Sequence, residues 1–219
     1  MSTLTRVVLA CAVATAVARP AAAGEIALEA QAGYFQMAAS NSASAVFGSG
    51  GGGTFGGAVR YTFWRGAFVT AGVRTFSKDG ERVFVASANS PVQKLGFPLK
   101  VRLTPIFLAV GYRLRDGKLI VPYAGLGGAL TSYKEESDVA GESFNESSTK
   151  GGFLAFAGVE VGRGMFRLGA EAGYTTVPNA VGLGGVTKVY GESHLGGWHV
   201  VGKAVVAFGG KKRGARQSP

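Results

Sequence analysis

The chain has 219 residues and a formal net charge of +10; only 16% of its residues are charged, while 36 are glycine and 11% are aromatic. That length fits one domain of ordinary size, and the composition argues against a charged helical protein and for closely packed strands. No stretch after the first 23 residues is apolar for long enough to cross a membrane as a helix, so any crossing must be made by strands.

Residues 1–23 read as a secretory signal peptide. Arg6 supplies the positive start, Val7 to Val17 the apolar segment, and Ala21-Ala22-Ala23 the small-residue cleavage site before Gly24. Arg19 and Pro20 cut the apolar run below the roughly 18 residues a spanning helix needs. Cys11, the one cysteine, lies inside this segment, so the exported chain can form no disulfide. Removing Arg6 and Arg19 leaves 23 − 2 = 21 basic residues against 13 acidic ones, a net of +8.

From about Ile26 the chain alternates. The first strand, to Met37, sets Ile26, Leu28, Ala30, Ala32 and Tyr34 on one face and Glu29 and Gln31 on the other. Phe55 to Phe63 follows, with Val59, Tyr61 and Phe63 opposite Arg60 and Thr62. A third strand from Ala67 sets Val69, Ala71 and Val73 against Thr70 and Arg74. The fourth, from Lys100, sets Val101 and Leu103 against Lys100, Arg102 and Thr104. After Pro105 the apolar set becomes Ile106, Leu108, Val110, Tyr112 and Leu114, which predicts a β-bulge at the proline. The fifth, Leu119 to Tyr133, alternates weakly. The sixth, Lys150 to Val161, sets Phe153, Ala155, Ala157 and Val159 against a face ending in Glu160. The seventh, Met165 to Thr176, is the clearest, with Phe166, Leu168, Ala170, Ala172 and Tyr174 against Arg167 and Glu171. In the eighth, Gly197 to Phe208, Trp198, Val200, Ala204 and Phe208 face away from His199 and Lys203.

The connections sort by length. Arg65-Gly66, residues 115–118 and Gly162-Arg163-Gly164 are tight turns; 39–53, 77–98, 135–148 and 177–194 are long. A barrel threaded through a membrane has a reason for this asymmetry, because one end faces a confined compartment and the other open solvent. The predicted fold is therefore all-β: an eight-stranded, antiparallel, up-and-down transmembrane β-barrel over 24–209. Residues 210–219 form a basic C-terminal tail. A soluble lipocalin-like barrel is the rival, but its outer face would need a denser coat of charge. In the membrane version Glu29, Arg60, Arg74, Arg102, Glu160, Arg167, Glu171, His199 and Lys203 form a polar network in the lumen. Tyr34, Phe63, Trp64, Tyr112, Tyr133, Tyr174, Trp198 and Phe208 form aromatic girdles.

The segment Val121-Pro122-Tyr123-Ala124-Gly125-Leu126-Gly127-Gly128 and the hairpin from Val159 to Tyr174 resemble small outer-membrane barrels of the OmpW/OmpX/OmpA-like superfamily. The resemblance implies an outer-membrane location, a lipid and lipopolysaccharide environment, and a terminal strand ending in an aromatic that the barrel-assembly machinery reads. Phe208 fits that role, although a basic tail follows it.

Little points to chemistry. Two histidines and no mature cysteine argue against a metal site, and no cofactor motif is present. The run Gly48 to Thr54 lacks the Gly-Lys-Ser/Thr ending of a phosphate-binding loop. Glu192-Ser193-His194 lies at the outer rim, where a lipid A-modifying enzyme would carry its Ser/His/acid set, but adjacent strand residues point to opposite faces. Nucleic acid is not an expected partner of an exported chain whose basic tail has no accompanying helix or interleaved aromatics. The reading is a structural or interaction protein, for adhesion or envelope integrity, that works through four extracellular loops around a filled lumen and meets an unidentified ligand there. The alternatives are a lipid A-modifying enzyme and a channel for small solutes or hydrophobic molecules.

Overall fold

The computed structural model describes residues 24–114, 119–139, 142–178 and 185–209; the predicted signal segment, basic tail and 115–118 turn lie outside them. Eight strands run in chain order: β1 (Glu25–Met37), β2 (Gly51–Thr62), β3 (Ala67–Phe84), β4 (Gln93–Arg113), β5 (Ile120–Val139), β6 (Glu142–Val161), β7 (Phe166–Thr175) and β8 (Gly197–Gly209). Each pairs antiparallel with the next, and β1 pairs with β8 from Glu25↔Gly209 to Met37↔Gly197, so the sheet closes. Two short helices sit in the long connections, α1 (Ser40–Phe47) and α2 (Val186–Val189). Among the described residues no helix is long and apolar enough to cross a membrane.

Closure lets the strands cross hydrocarbon, because every backbone group inside the belt finds a partner on the next strand. The outward face is apolar over that belt. Leu28, Val59, Ile106, Leu108, Leu126, Leu130, Phe153 and Leu168 all stand exposed on it, while charged residues lie inside. On β5 the belt runs from Ile120 to Leu130. Ten residues at about 3.4 Å, tilted by about 40°, give a height of about 26 Å, which matches the apolar band of an outer-membrane barrel.

Two of the four predicted loops are strand. Residues 77–84 and 93–98 continue β3 and β4, and 135–139 and 142–148 continue β5 and β6. A four-stranded sheet therefore projects past the last apolar row for nine further residue pairs, from Leu130↔Gly151 to Val139↔Glu142, about 30 Å along the strands. Periodicity does not reveal it, because both faces there meet water or loop and neither needs to be uniformly apolar.

The bulge predicted at Pro105 is absent. The β4–β5 register is unbroken from Leu99↔Ser137 through Pro105↔Thr131 to Arg113↔Tyr123, and the β3–β4 irregularity falls between Glu81 and Val83 instead. The hydrophobic code inverts at this level without any slip of the backbone. Below it Ile106, Leu108 and Val110 point outward to lipid; above it Val101 and Leu103 point inward to a buried cluster.

Candidate functional site

The interior has three layers. The lowest and middle are charged and follow from strand parity: β1 turns Glu25, Glu29 and Gln31 inward, β2 Arg60, β4 Arg113, β6 Glu160, β7 Arg167 and Glu171, and β8 His199 and Lys203. They form one chain of contacts. Glu25 receives Arg167 (2.7 and 2.5 Å) and Arg113 (3.3 Å). Glu160 then gathers Arg113 (3.0 Å), Arg167 (3.7 Å) and Arg60. Arg60 reaches Glu29 at 3.3 Å, and Lys203 bridges Glu29 (2.6 Å) to Glu171 (2.7 Å). Arg74 closes the chain, donating to Glu171 (2.6 Å), to Gln31 (2.8 Å) and to His199 Nε2 (2.6 Å). A guanidinium can only donate, so His199 Nε2 accepts and the ring proton sits on Nδ1. Gly173 makes room for this ring, since a Cβ there would stand 2.6 Å from His199 Cε1.

Four carboxylates (Glu25, Glu29, Glu160, Glu171) thus face five permanent cations (Arg60, Arg74, Arg113, Arg167, Lys203), a near balance that makes burial of so much charge tolerable. The opposite wall is aromatic. Arg60 lies over Phe68 and Tyr123 at 5.6 Å, and Arg74 over Phe107 at 5.0 Å. Tyr123 also donates to Glu171 and accepts from Lys203, each at 3.1 Å.

The top layer is apolar. Met37, Phe76, Leu99, Val101, Leu103, Tyr133, Val177 and Leu195 pack with Ala43 and Val46 of α1 and Val186 of α2. Helix α1 has no side-chain cap of its own; the Glu192 carboxylate accepts from the Asn41 N–H (3.0 Å), the Ser42 N–H (2.8 Å) and the Ser42 hydroxyl. Lys78 donates to the Ser49 carbonyl (2.8 Å) and hydroxyl (2.6 Å) and to the Gly51 carbonyl, which seats the same connection on β3. Gly80 permits that contact, because a Cβ there would meet Phe47 at 2.5 Å. Glu192→Ala is expected to cost about 1 kcal/mol and to speed proteolytic cleavage within 40–47; unchanged cleavage would show that the cap does not hold the helix.

Of the predicted lumen residues, Glu29, Arg60, Arg74, Glu160, Arg167, Glu171, His199 and Lys203 lie inside. Arg102 does not. It is exposed on the outer face beside Lys134, because the odd positions of β4 point inward throughout. Glu25, Gln31, Arg113 and Tyr123 also belong to the network, beyond the residues predicted from sequence. Parity extended along β4 to its end is the signal that places Arg113 inside. Among the predicted girdle residues, Tyr34, Tyr174 and Trp198 stand outward near the upper edge, with Tyr34 and Trp198 rings 5.7 Å apart. Phe63, Trp64, Tyr112 and Phe208 stand outward near the lower edge. Tyr133 is only 1% exposed and belongs to the interior cluster, its hydroxyl on Glu135. Ser193 and His194 are exposed, and Glu192 is engaged at α1, so the three do not converge as an acid–base set. Among the described residues no three His, Cys, Asp or Glu side chains group as metal ligands.

A closed antiparallel barrel with an apolar belt outside and charge inside is a small outer-membrane β-barrel. The chain is similar to solved structures. A major outer membrane protein from Thermus thermophilus aligns over 85% of this chain and 100% of its own, at 12% identity and TM-score 0.53. Ail, the attachment invasion locus protein of Yersinia pestis, aligns over 85% and 100% at 16% identity and TM-score 0.49, in a structure with the heparin analogue sucrose octasulfate. Neisserial surface protein A aligns over 87% and 100% at 14% identity and TM-score 0.48. No protein-family model matches the chain, and no curated protein matches it significantly.

Proposed function

We propose that this outer-membrane barrel is an interaction protein, serving adhesion or envelope integrity, whose working part is the sheet that projects from β3 to β6, and that its lumen does not conduct. The observation that carries this reading is the edge of β6. Among the described residues β7 joins β6 only from Leu154 downward, so Glu142 to Gly151 pair with β5 alone. The other edge of the projecting sheet, on β3, is covered by α1 and the Lys78 contacts. Among the described residues one edge is thus masked and the other keeps backbone groups that no strand pairs, which is the geometry that accepts an added strand from a partner. The interior supports the same reading: crossed salt bridges and an apolar plug fill a barrel that is narrow at eight strands. A non-enzymatic role fits the dispersal of Glu192, Ser193 and His194. Outer-leaflet lipid with its lipopolysaccharide, and the barrel-assembly machinery acting on the strand that ends at Phe208, are the partners expected during and after insertion.

The test is to shorten the β5–β6 hairpin by removing residues 137–144 and closing it with Asn-Gly. The barrel should still fold, shown by its heat-modifiable gel migration, and surface binding by cells expressing it should fall to background. Full binding by the shortened, folded protein would rule this reading out.

A further inference from the structure

The outer face of the projecting sheet is layered. The last apolar row is Val73, Ile106 and Leu130, with Gly151 beside them. The next outward row is all hydroxyl: Thr75 and Thr104, 3.4 Å apart, then Ser132 and Thr149. Above it comes Ser77, Arg102, Lys134 and Ser147. Above that, Asp79 pairs with Lys100 at 3.6 Å, next to Glu136.

Within the third row Arg102 and Lys134 are direct cross-strand partners, both exposed. Like charges placed opposite each other destabilise a sheet. Here the row's other two positions are serines, and among the described residues neither cation makes an ion pair. The next row up shows the complementary arrangement, acid beside base. Along the outward strand faces Arg102 and Lys134 are the first cations met above the belt; the outward positions of β1, β2, β7 and β8 carry none.

We propose that Arg102 and Lys134 form a binding site for the phosphate of an outer-leaflet glycolipid, with the Thr104 and Ser132 hydroxyls below them as further donors. An anion between the two cations removes their repulsion. The guanidinium fork and the ammonium suit a phosphate, which offers several acceptor oxygens at once. Height selects the source of that phosphate. The row lies four residues above Ile106, about 10 Å along the membrane normal at a tilt of about 40°. Long side chains reach down from there into the headgroup layer while their stems cover the hydroxyl row. Arg102, which sequence alternation places in the lumen, therefore acts with Lys134 on the membrane's outer surface.

The test uses the refolded barrel in zwitterionic micelles and two probes: a diglucosamine lipid carrying two phosphates, and the same lipid without them. Native mass spectrometry should show the phosphorylated lipid bound about tenfold more tightly. R102S/K134S should bring the two lipids to near equality. Lys94→Ser, at an exposed lysine paired with Glu81 near the hairpin tip, should leave the ratio unchanged. K134E should also abolish the preference, yet it should raise the urea midpoint in lipid-free micelles by giving Arg102 an opposite charge, so lost binding is separated from lost folding. Equal affinity of the wild type for both lipids would overturn the proposal. Displacement of the bound lipid by inorganic phosphate at the lipid's own concentration would overturn the lipid assignment in favour of a soluble anion.

Discussion

Replacing Glu160 with glutamine is expected to destabilise the barrel by about 3–5 kcal/mol, because it strands buried cations. Glu160 has a side chain only 1% exposed and is the meeting point of Arg60, Arg113 and Arg167. Glutamine keeps the shape and one acceptor but brings an NH2 group toward three guanidiniums. Glu25 is already engaged by Arg113 and Arg167, and Glu29 is shared with Lys203, so no spare carboxylate can take over. Arg60 would suffer most, since it is 1% exposed with no route to water. Urea unfolding in micelles measures the loss. Glu81→Gln, which breaks the exposed pair with Lys94, should cost less than about 1 kcal/mol and serves as the control. A cost for E160Q as small as the control's would mean that the lumen is wet enough to solvate the arginines.

Arginine at Ala170 is expected to cost about 2–4 kcal/mol, with the full value near the bilayer midplane. Ala170 is outward on β7, paired with Val159 on β6 and Gly202 on β8, in the middle of the belt. No acid lies on that face within the belt, so the guanidinium must either thin the bilayer or stretch to the headgroups. Arginine at Ser132 provides the comparison. It lies in the hydroxyl row at the outer edge of the belt, where a cation costs about 0–1 kcal/mol. Equal costs at the two positions would remove the basis for placing lipid against this face. Lysine at Thr175 is expected to be costly for a different reason: Thr175 is 7% exposed and lines the same small chamber as Arg74 and His199, where a further cation meets two donors.

Most of the barrel is legible in the sequence wherever one face meets lipid and the other meets the lumen. β7 shows this best. Arg167 and Glu171 alternate with Leu168, Ala170 and Ala172 because each face has one solvent over the whole strand. The reading fails where the solvent changes. At Pro105 the apolar residues move from the even to the odd positions of β4, and a backbone slip is the obvious explanation. The unbroken register shows that the environment switched instead: lipid outside gives way to water, and the polar lumen gives way to the apolar plug. Arg102 and Tyr133 depart from their predicted places for that one reason. An arginine followed at even spacing by Ile106, Leu108 and Val110 on an unslipped strand can only point outward above the belt. β5 alternates weakly for a different reason. Within the belt its inward face carries Val121 and Tyr123, part of an aromatic wall against which the cations of the other strands lie, so it holds no charged residue there. The long-range contacts could not be read from local pattern: Glu192 holding α1 spans 150 residues, and Arg74 reaches His199 across 125.

Planar-bilayer recording of the refolded chain decides whether the barrel is filled and its work is done outside the membrane. The salt-bridge chain from Glu25 to His199 and the apolar plug above it predict a flat baseline across applied voltage, with rare unresolved flickers at most. Stable conductance steps that scale with salt concentration in the intact protein would contradict it and identify the barrel as a channel.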